Sequence, residues 1–283
     1  MENLEEYIKL HKNQFDYTGA QNPQIKYATN LLNNTRSNPD KLVPIEGIFQ
    51  HVLALKNNIE FAFTFACIED ITSNESFNII KTLVEKNVKI YVVSKTVFSK
   101  VAEVENMGGL FSFCKLPIYK PNDLKFDKIT TIVILDGVEI PGNIGTILRA
   151  CDASGTSAVF VCNRKARLTH PKLVRASLGS IFNVPIIEWE STADCLEFLK
   201  SKNFKIYLAD TRACKHYFEN EYNERVAFVM GSERYGITKE WYDYPHELVS
   251  IPMNGKCDSL NVATATTILL FEASIKQHGF TRK

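Results

Sequence analysis

From residue 23 onward the apolar positions follow two alternating rhythms. Ile25, Ala28, Leu31 and Leu32 fall at helical spacing, and the polar stretch 33–40, with Pro39, ends that helix. Residues 41–45 then read as a strand, 46–55 as a helix and 59–67 as an alternating strand. A helix follows at 76–86 and a further strand at 88–93. Strands alternating with helices predict a layered α/β domain over 21–115. Residues 1–20 lack this rhythm and predict a short charged helix or a loose tail. The stretch 116–128, LPIYKPNDLKFDK, holds two prolines and mixed charge, which predicts a linker at 116–127.

The same alternation returns more strongly in a second domain at 128–283. Residues 130–135 form a continuous β-branched and apolar run, the mark of a strand buried on both faces. A loop at 136–142 leads into a helix near 143–153, and 157–162 is the next strand. A helix at 192–202, strands at 205–209, 226–230 and 248–251, and a long closing helix at 259–277 complete the pattern. Ser259 or Asp258 is the expected cap of that last helix, with Gly279 after its end. The expected architecture is an open, mostly parallel sheet with helices on both faces.

Composition narrows the function classes. At 283 residues and 45% apolar the chain is long enough for two cores. With 33 Lys and Arg against 32 Asp and Glu, the net charge is +1, so no global field draws a polyanion. Nucleic-acid binding therefore needs a local patch. Apolar runs stay far short of the ~18 residues that span a bilayer, which predicts no membrane partner. The acidic start MENLEEYIKLHKN fits neither a secretory signal nor an organellar transit peptide. Seven widely spaced cysteines without a CxxC pair argue against a disulfide framework and a metal site, and for free thiols in a reducing cytoplasm.

The candidate chemistry lies in loops that follow strands of the second half, where open α/β sheets bind ligands. The first, DGVEIPGNIGTILRA at 136–150, sets Gly142 and Gly145 around Asn143 at a strand-to-helix turn, with Arg149 one turn after Gly145. The second is MGSERYG at 230–236. The third is IPMNGKCDSLN at 251–261. Taken singly, GNIG reads as an ordinary turn, Arg149 as a solvated side chain, Glu233 as a surface residue and Ser259 as an N-cap. Their occurrence in order at successive strand ends is what points to a site. A further run, NRKARLTHPKLVR at 163–175, holds Arg164, Lys165, Arg167, Lys172 and Arg175 with no acidic residue. It is either a solvated loop or the local basic rim that phosphate recognition requires.

These residues carry a resemblance. Asn143 to Arg149, then Gly231, Ser232, Glu233 and Gly236, then Ile251, Pro252 and Met253 followed by Ser259, Leu260 and Asn261, resemble the three motifs of the SpoU/TrmH family. This family belongs to the SPOUT class of S-adenosylmethionine-dependent RNA ribose 2′-O-methyltransferases. Around Lys26, Arg36 and residues 45–47, the first half resembles the ribosomal-protein-like RNA-binding domain often placed before the catalytic one. Residues 174–179, with Arg175, resemble a segment of ribosomal-RNA enzymes such as the thiostrepton-resistance methyltransferase.

The resemblance implies an α/β trefoil-knot domain at 128–283, a homodimer and an RNA substrate, ribosomal RNA ahead of transfer RNA. It implies S-adenosylmethionine held by Leu208, Gly231, Ser232, Glu233, Ile251, Pro252, Met253, Ser259, Leu260 and Asn261. Arg149 is the expected catalytic arginine, with Asn143, Glu233, Ser259 and Asn261 arranging ribose and pocket. RNA contacts fall to Arg149, Arg164, Lys165, Arg167, Lys172, Arg175, Lys26 and Arg36, with Arg175 in reach of its own or a partner's site. Two other readings remain. An NADP-dependent oxidoreductase would use GNIG as its phosphate turn and Arg164 for the 2′-phosphate, though the third glycine of its fingerprint is missing. A non-catalytic RNA-binding protein would leave Arg149 without a task.

Overall fold

The computed structural model describes residues 4–102 and 108–279; the parts of the expected segments at 1–3, 103–107 and 280–283 lie outside the described residues. The chain divides into two compact units. One is Met1–Pro117 with Thr169–Arg175, the other Ile118–Leu168 with Ala176–Lys283.

The first unit carries strands β1 (Phe15–Tyr17), β2 (Leu42–Glu46), β3 (Phe61–Ala66), β4 (Ile90–Val92) and β5 (Leu110–Lys115). Its helices are α1 (Leu4–Leu10), α2 (Pro23–Leu32), α3 (Gly47–Lys56), α4 (Asn74–Glu85) and α5 (Lys95–Phe98). Local chemistry explains the starts of two of them. Asn22 accepts from Gln24 N at 2.8 Å ahead of Pro23, and Ser73 accepts from Ser76 N at 3.1 Å. The sheet runs β1-β4-β3-β5-β2, with β1, β4 and β3 parallel and β5 antiparallel to both its neighbours. The sequence reading has no counterpart for β1 or β5. The run LFSFCK of β5 is buried at five of its six positions, so it shows no alternation to betray a strand. Phe63, Phe65, Phe111 and Phe113 pack together on one face of this sheet, edge-on along each strand, with Phe63 and Phe113 centroids 5.1 Å apart.

The second unit carries β6 (Thr130–Asp136), β7 (Ala158–Cys162), β8 (Ile186–Glu188), β9 (Lys205–Ala209), β10 (Arg225–Gly231) and β11 (Glu247–Val249). Helices α6 (Pro141–Ser154), α8 (Thr192–Ser201), α9 (Lys239–Tyr242) and α10 (Val262–His278) belong to it, while α7 (Pro171–Ser177) begins in the segment that clusters with the first unit. All six strands are parallel, in the order β11-β9-β10-β6-β7-β8, as an open α/β sheet requires. β6 is buried at every position. Register sets the carboxyl ends level: Asp136 pairs with Gly231 and with Cys162, and Leu208 with Val229 and Leu248. The loops after β6, β9, β10 and β11 therefore open on one rim.

Over the expected linker, Tyr119, Leu124 and Phe126 pack on the second unit's core, Phe126 edge-on to Phe204 at 5.1 Å. The last helix starts at Val262, three residues later than expected. Asn261, not Ser259, caps it by accepting from Ala263 N at 2.9 Å. Five cysteines are buried, and Cys214 and Cys257 are exposed.

Candidate active site

A cleft of about 800 Å³ opens at the carboxyl ends of β9, β10 and β11 in the second unit. Met230, Ile237, Ile251, Met253, Leu260, Val262 and Leu269 give it apolar walls, and Asp210, Glu233, Ser250, Ser259 and Asn261 supply polar groups. That size and that mixture suit a small ligand with apolar and hydrogen-bonding parts. Of the expected cofactor residues, Gly231, Ser232, Glu233, Ile251, Met253, Ser259, Leu260 and Asn261 line it. Leu208 does not. It is fully buried in the core, and the strand's two-residue period turns the next residue, Ala209, to the cleft instead. Pro252 is exposed between two lining residues without lining the cleft itself.

Gly231 has a reason of its own. A Cβ there would lie 2.3 Å from the Gly236 carbonyl carbon, so glycine is required by the turn's self-packing before any ligand arrives. Ser232 N donates to Gly236 O at 3.0 Å, and Gly236 N returns a bond to Ser232 O at 2.9 Å. This closed turn projects Glu233 toward the start of α6. There its Oε1 accepts from Asn143 Nδ2 at 2.5 Å and its Oε2 from Glu139 N at 3.4 Å. The helix has no side-chain cap at Ile140, so a carboxylate at its positive end is stabilised.

Asn143 Oδ1 accepts in turn from Asn261 Nδ2 at 3.2 Å. Chemistry orients both amides. An ionised carboxylate only accepts, so the nitrogen of Asn143 faces Glu233; the oxygen of Asn261 is committed to Ala263 N, so its nitrogen faces Asn143. Three of the five expected catalytic residues thus form one directed hydrogen-bond chain, drawn from the first turn of α6, the turn after β10 and the cap of α10. Ser259, a fourth, is exposed at the cleft and donates to Asp258 Oδ1 at 3.1 Å.

Arg149 stands apart from this group. It is exposed on α6, on the same face as Gly142 and Thr146, and does not line the cleft. Among the described residues it has neither a hydrogen bond nor an ion pair, which leaves its guanidinium available. The basic run is less uniform than its sequence. Arg164 Nε pairs with Glu188 Oε2 at 2.7 Å, Lys165 and Lys172 are exposed, and Arg167 is exposed with interactions of its own.

Arg175 is not a free rim residue. It counts with the first unit and donates through Nε and Nη2 to Oε1 of Glu46, a carboxylate only 4% exposed. A buried carboxylate needs such a partner, which is why this arginine is held. In the same unit Lys26 is exposed on α2 and the Arg36 guanidinium stacks 5.3 Å from the Tyr27 ring centroid.

Residue-by-residue reading missed the other polar wall. Asp210, directly after β9, accepts from Arg212 N, Nε and Nη2 and from Tyr242 OH at 2.7–3.0 Å. The arginine's bonds hold its carboxyl well below the usual carboxylate range. Asp210, Arg212 and Tyr242 all line the cleft. The signal was available, since Asp210 occupies the strand-end position that selected the other loops. Asp136, fully buried, accepts from Asn163 Nδ2 and Thr238 N, both at 2.7 Å, and so ties the loops after β7 and β10 to the end of β6. Among the described residues no group of His, Cys, Asp or Glu could hold a metal ion, and no helix is long and apolar enough to cross a membrane.

Known proteins share both the sequence and the fold. A 23S rRNA (guanosine(2553)-2′-O)-methyltransferase, RlmP, of Bacillus subtilis (strain 168) is 28% identical over 187 residues, which is 66% of this chain and 73% of that one. The crystal structure of an RNA 2′-O ribose methyltransferase matches with a TM-score of 0.78 at 28% identity, covering 93% of this chain and 99% of that one. An AdoMet-bound rRNA methyltransferase from Sinorhizobium meliloti shares the fold, with a TM-score of 0.84 at 24% identity over 95% of this chain and 100% of that one. Residues 130–271, which carry all three motif loops and half of the chain, match the SpoU rRNA Methylase family. The chain therefore belongs to the SpoU rRNA methylase family.

Proposed function

We propose that this protein transfers a methyl group from S-adenosylmethionine to a ribose 2′-hydroxyl in structured RNA, with ribosomal RNA the favoured substrate and transfer RNA the alternative. The observation that carries the reading is the chain Asn261–Asn143–Glu233 at the mouth of a nucleoside-sized cleft. Membership of the family and similarity to RlmP support it, and they leave the oxidoreductase reading of the GNIG turn without support.

The cleft fits the cofactor. Its apolar wall at Met230, Ile251, Leu260 and Leu269 suits an adenine, while Asp210, Ser250, Ser259 and Asn261 offer partners for ribose and amino-acid groups. When bound, the cofactor supplies an electrophilic methyl on its sulfonium. The chain's own residues supply position. Asn143 and Asn261 each keep an N–H free to hold the incoming ribose, and Glu233 fixes how Asn143 presents it. Arginine keeps its proton above pH about 12, so Arg149 stabilises the developing alkoxide and grips an adjoining phosphate rather than accepting the proton.

In this proposal, residues 21–115 select RNA and residues 128–283 form the knotted catalytic domain of a cytoplasmic homodimer. Exposed Phe271 and Ile275, one turn apart on α10, support a second copy, because adjoining large apolar residues on one helix face gain by burial. The exposed, unpaired Arg149 also fits a site completed by two subunits. Incubating the protein with methyl-labelled cofactor and total RNA from cells lacking the gene, then mapping 2′-O-methyl sites, tests the activity. Label in 23S or 16S RNA is the expected result, and label in no RNA would overturn the reading. Sedimentation at micromolar concentration should show a species of twice 32.1 kDa.

A further inference from the structure

The turn that presents Glu233 also carries Arg234 and Tyr235. Tyr235 N donates to Ser232 Oγ at 2.9 Å, and Gly236 at φ +71° closes the turn. The close Gly231–Gly236 packing constrains this backbone as well, so the points from which Arg234 and Tyr235 project are set by the turn. Tyr235 lines the cleft, yet it is 73% exposed, whereas Tyr207 and Tyr222 of the same unit are 2% exposed. The Arg234 guanidinium lies 5.2 Å from the Tyr235 ring centroid. Ile140, 50% exposed, and Leu260, 38% exposed, line the same cleft. The mouth therefore combines exposed apolar surface, an aromatic ring carried on a closed turn and a cation beside it.

An exposed ring at the mouth of a cleft offers an uncovered face to a ligand. A planar aromatic group covers it most completely, and a guanidinium on the ring strengthens the stack. In RNA the planar group is a base, and it becomes available only when the nucleotide is unpaired. We infer that Arg234 and Tyr235 form a platform on which the base of the target nucleotide stacks, so that the substrate is a nucleotide in a loop or one extruded from a helix. The inference rests on the RNA-methyltransferase reading. It assigns selection of unpaired nucleotides to the same short turn that orients Asn143 through Glu233.

The test uses the full chain with Tyr235→Ala, Tyr235→Leu and Tyr235→Phe. Five quantities are measured: binding of total RNA from cells lacking the gene, KM and kcat for methyl transfer to it, cofactor affinity by calorimetry, and sedimentation. Tyr235→Ala should weaken RNA binding and raise KM by about ten-fold, and Tyr235→Phe should stay within about two-fold of the parent. Tyr235→Leu keeps the bulk and the fold but not the π-face, so it should resemble Tyr235→Ala. Cofactor affinity and sedimentation should be unchanged in all three. Any of four results overturns the platform: Tyr235→Leu matching the parent, an unaltered KM in Tyr235→Ala, a loss of cofactor affinity, or a change of oligomeric state. If the parental protein itself labels no RNA, the underlying reading falls too; if it labels RNA and the variants bind and react normally, only the platform falls.

Discussion

Asn143 and Glu233, ninety positions apart in sequence, are joined by a 2.5 Å hydrogen bond in which the amide donates and the carboxylate accepts. The bond reaches from the first turn of α6 to the turn after β10, and Asn261 continues it from the cap of α10. Glu233 cannot be replaced by its amide without loss, because a glutamine has one acceptor oxygen for two donors, Asn143 Nδ2 and Glu139 N, and carries no charge at the start of α6. Glu233→Gln should therefore cut methyl-transfer turnover by about ten-fold or more, as loss of a positioning contact does. Cofactor affinity should fall less, since the apolar wall is untouched. Equal losses in turnover and cofactor affinity, measured by single-turnover transfer and calorimetry, would assign Glu233 to the cofactor instead.

The basic run divides into paired and unpaired members, and salt dependence can separate them. Replacing Arg164, Lys165 and Arg167 together by Ala should flatten the salt dependence of RNA binding by up to about three charge contacts and leave cofactor affinity alone. Arg164 is partly neutralised by Glu188. Removing that competitor with Glu188→Gln should then strengthen RNA binding. A triple variant with the parental salt slope would return 164–167 to a solvated loop.

The second unit was legible because its strands are buried on both faces and read as continuous apolar runs, and because ligands gather at strand ends. The same logic failed where structure depends on distant partners. Nothing local tells that Arg175 pairs with Glu46, 129 positions away, or that Asn143 meets Glu233. Asp258, Ser259 and Asn261 all offer cap chemistry before α10, and only packing of the loop selects Asn261. Leu208, expected at the cofactor only through the resemblance, lies in the core, and its strand neighbour Ala209 faces the cleft. β5 was missed because an antiparallel strand entering a parallel sheet, buried on both faces, leaves no alternation to read.

A buried histidine gives the first unit a measurable response to acid. His51 is fully buried, and its Nδ1 lies 2.6 Å from Gly47 O, which can only accept, so Nδ1 carries the proton. Nε2 then accepts from Ser112 Oγ at 2.8 Å, and Ser112 accepts from Thr64 Oγ1 at 2.7 Å. Burial lowers the His51 pKa from 6.5 to about 4. The folded state thus stays neutral where the unfolded state takes up a proton. Stability from this source is complete above about pH 6.5 and falls as the pH drops toward 4. From pH 7 to 5 the loss should be about 2 kcal/mol. Denaturant unfolding of the parent and of His51→Gln at both pH values isolates the term, because carboxylates titrate alike in the two. Parallel losses in parent and variant would show that His51 is not the group responsible.

Arg149 offers the sharpest test of the catalytic assignment, because its surroundings exclude the simplest structural role. It is exposed on α6 and, among the described residues, has no ion pair or hydrogen bond that its removal could break. Arg149→Ala should therefore leave the melting temperature and cofactor affinity near parental values. If its guanidinium grips a substrate phosphate and the developing alkoxide, turnover should fall by about two orders of magnitude, equivalent to ~2.7 kcal/mol of barrier. Arg149→Lys should restore little, since the charge is kept but the planar fork that holds two phosphate oxygens at once is lost. Because Arg149 does not line its own cleft, a dimeric site makes a further demand. An inactive Arg149→Ala protomer mixed with one inactivated at Asn143 should regain part of the activity, through the one composite site that has both intact residues. Recovery absent from mixed dimers, with subunit exchange verified by labelled protomers, would place Arg149 in the site of its own chain. Parental turnover in Arg149→Ala would remove it from the reaction altogether.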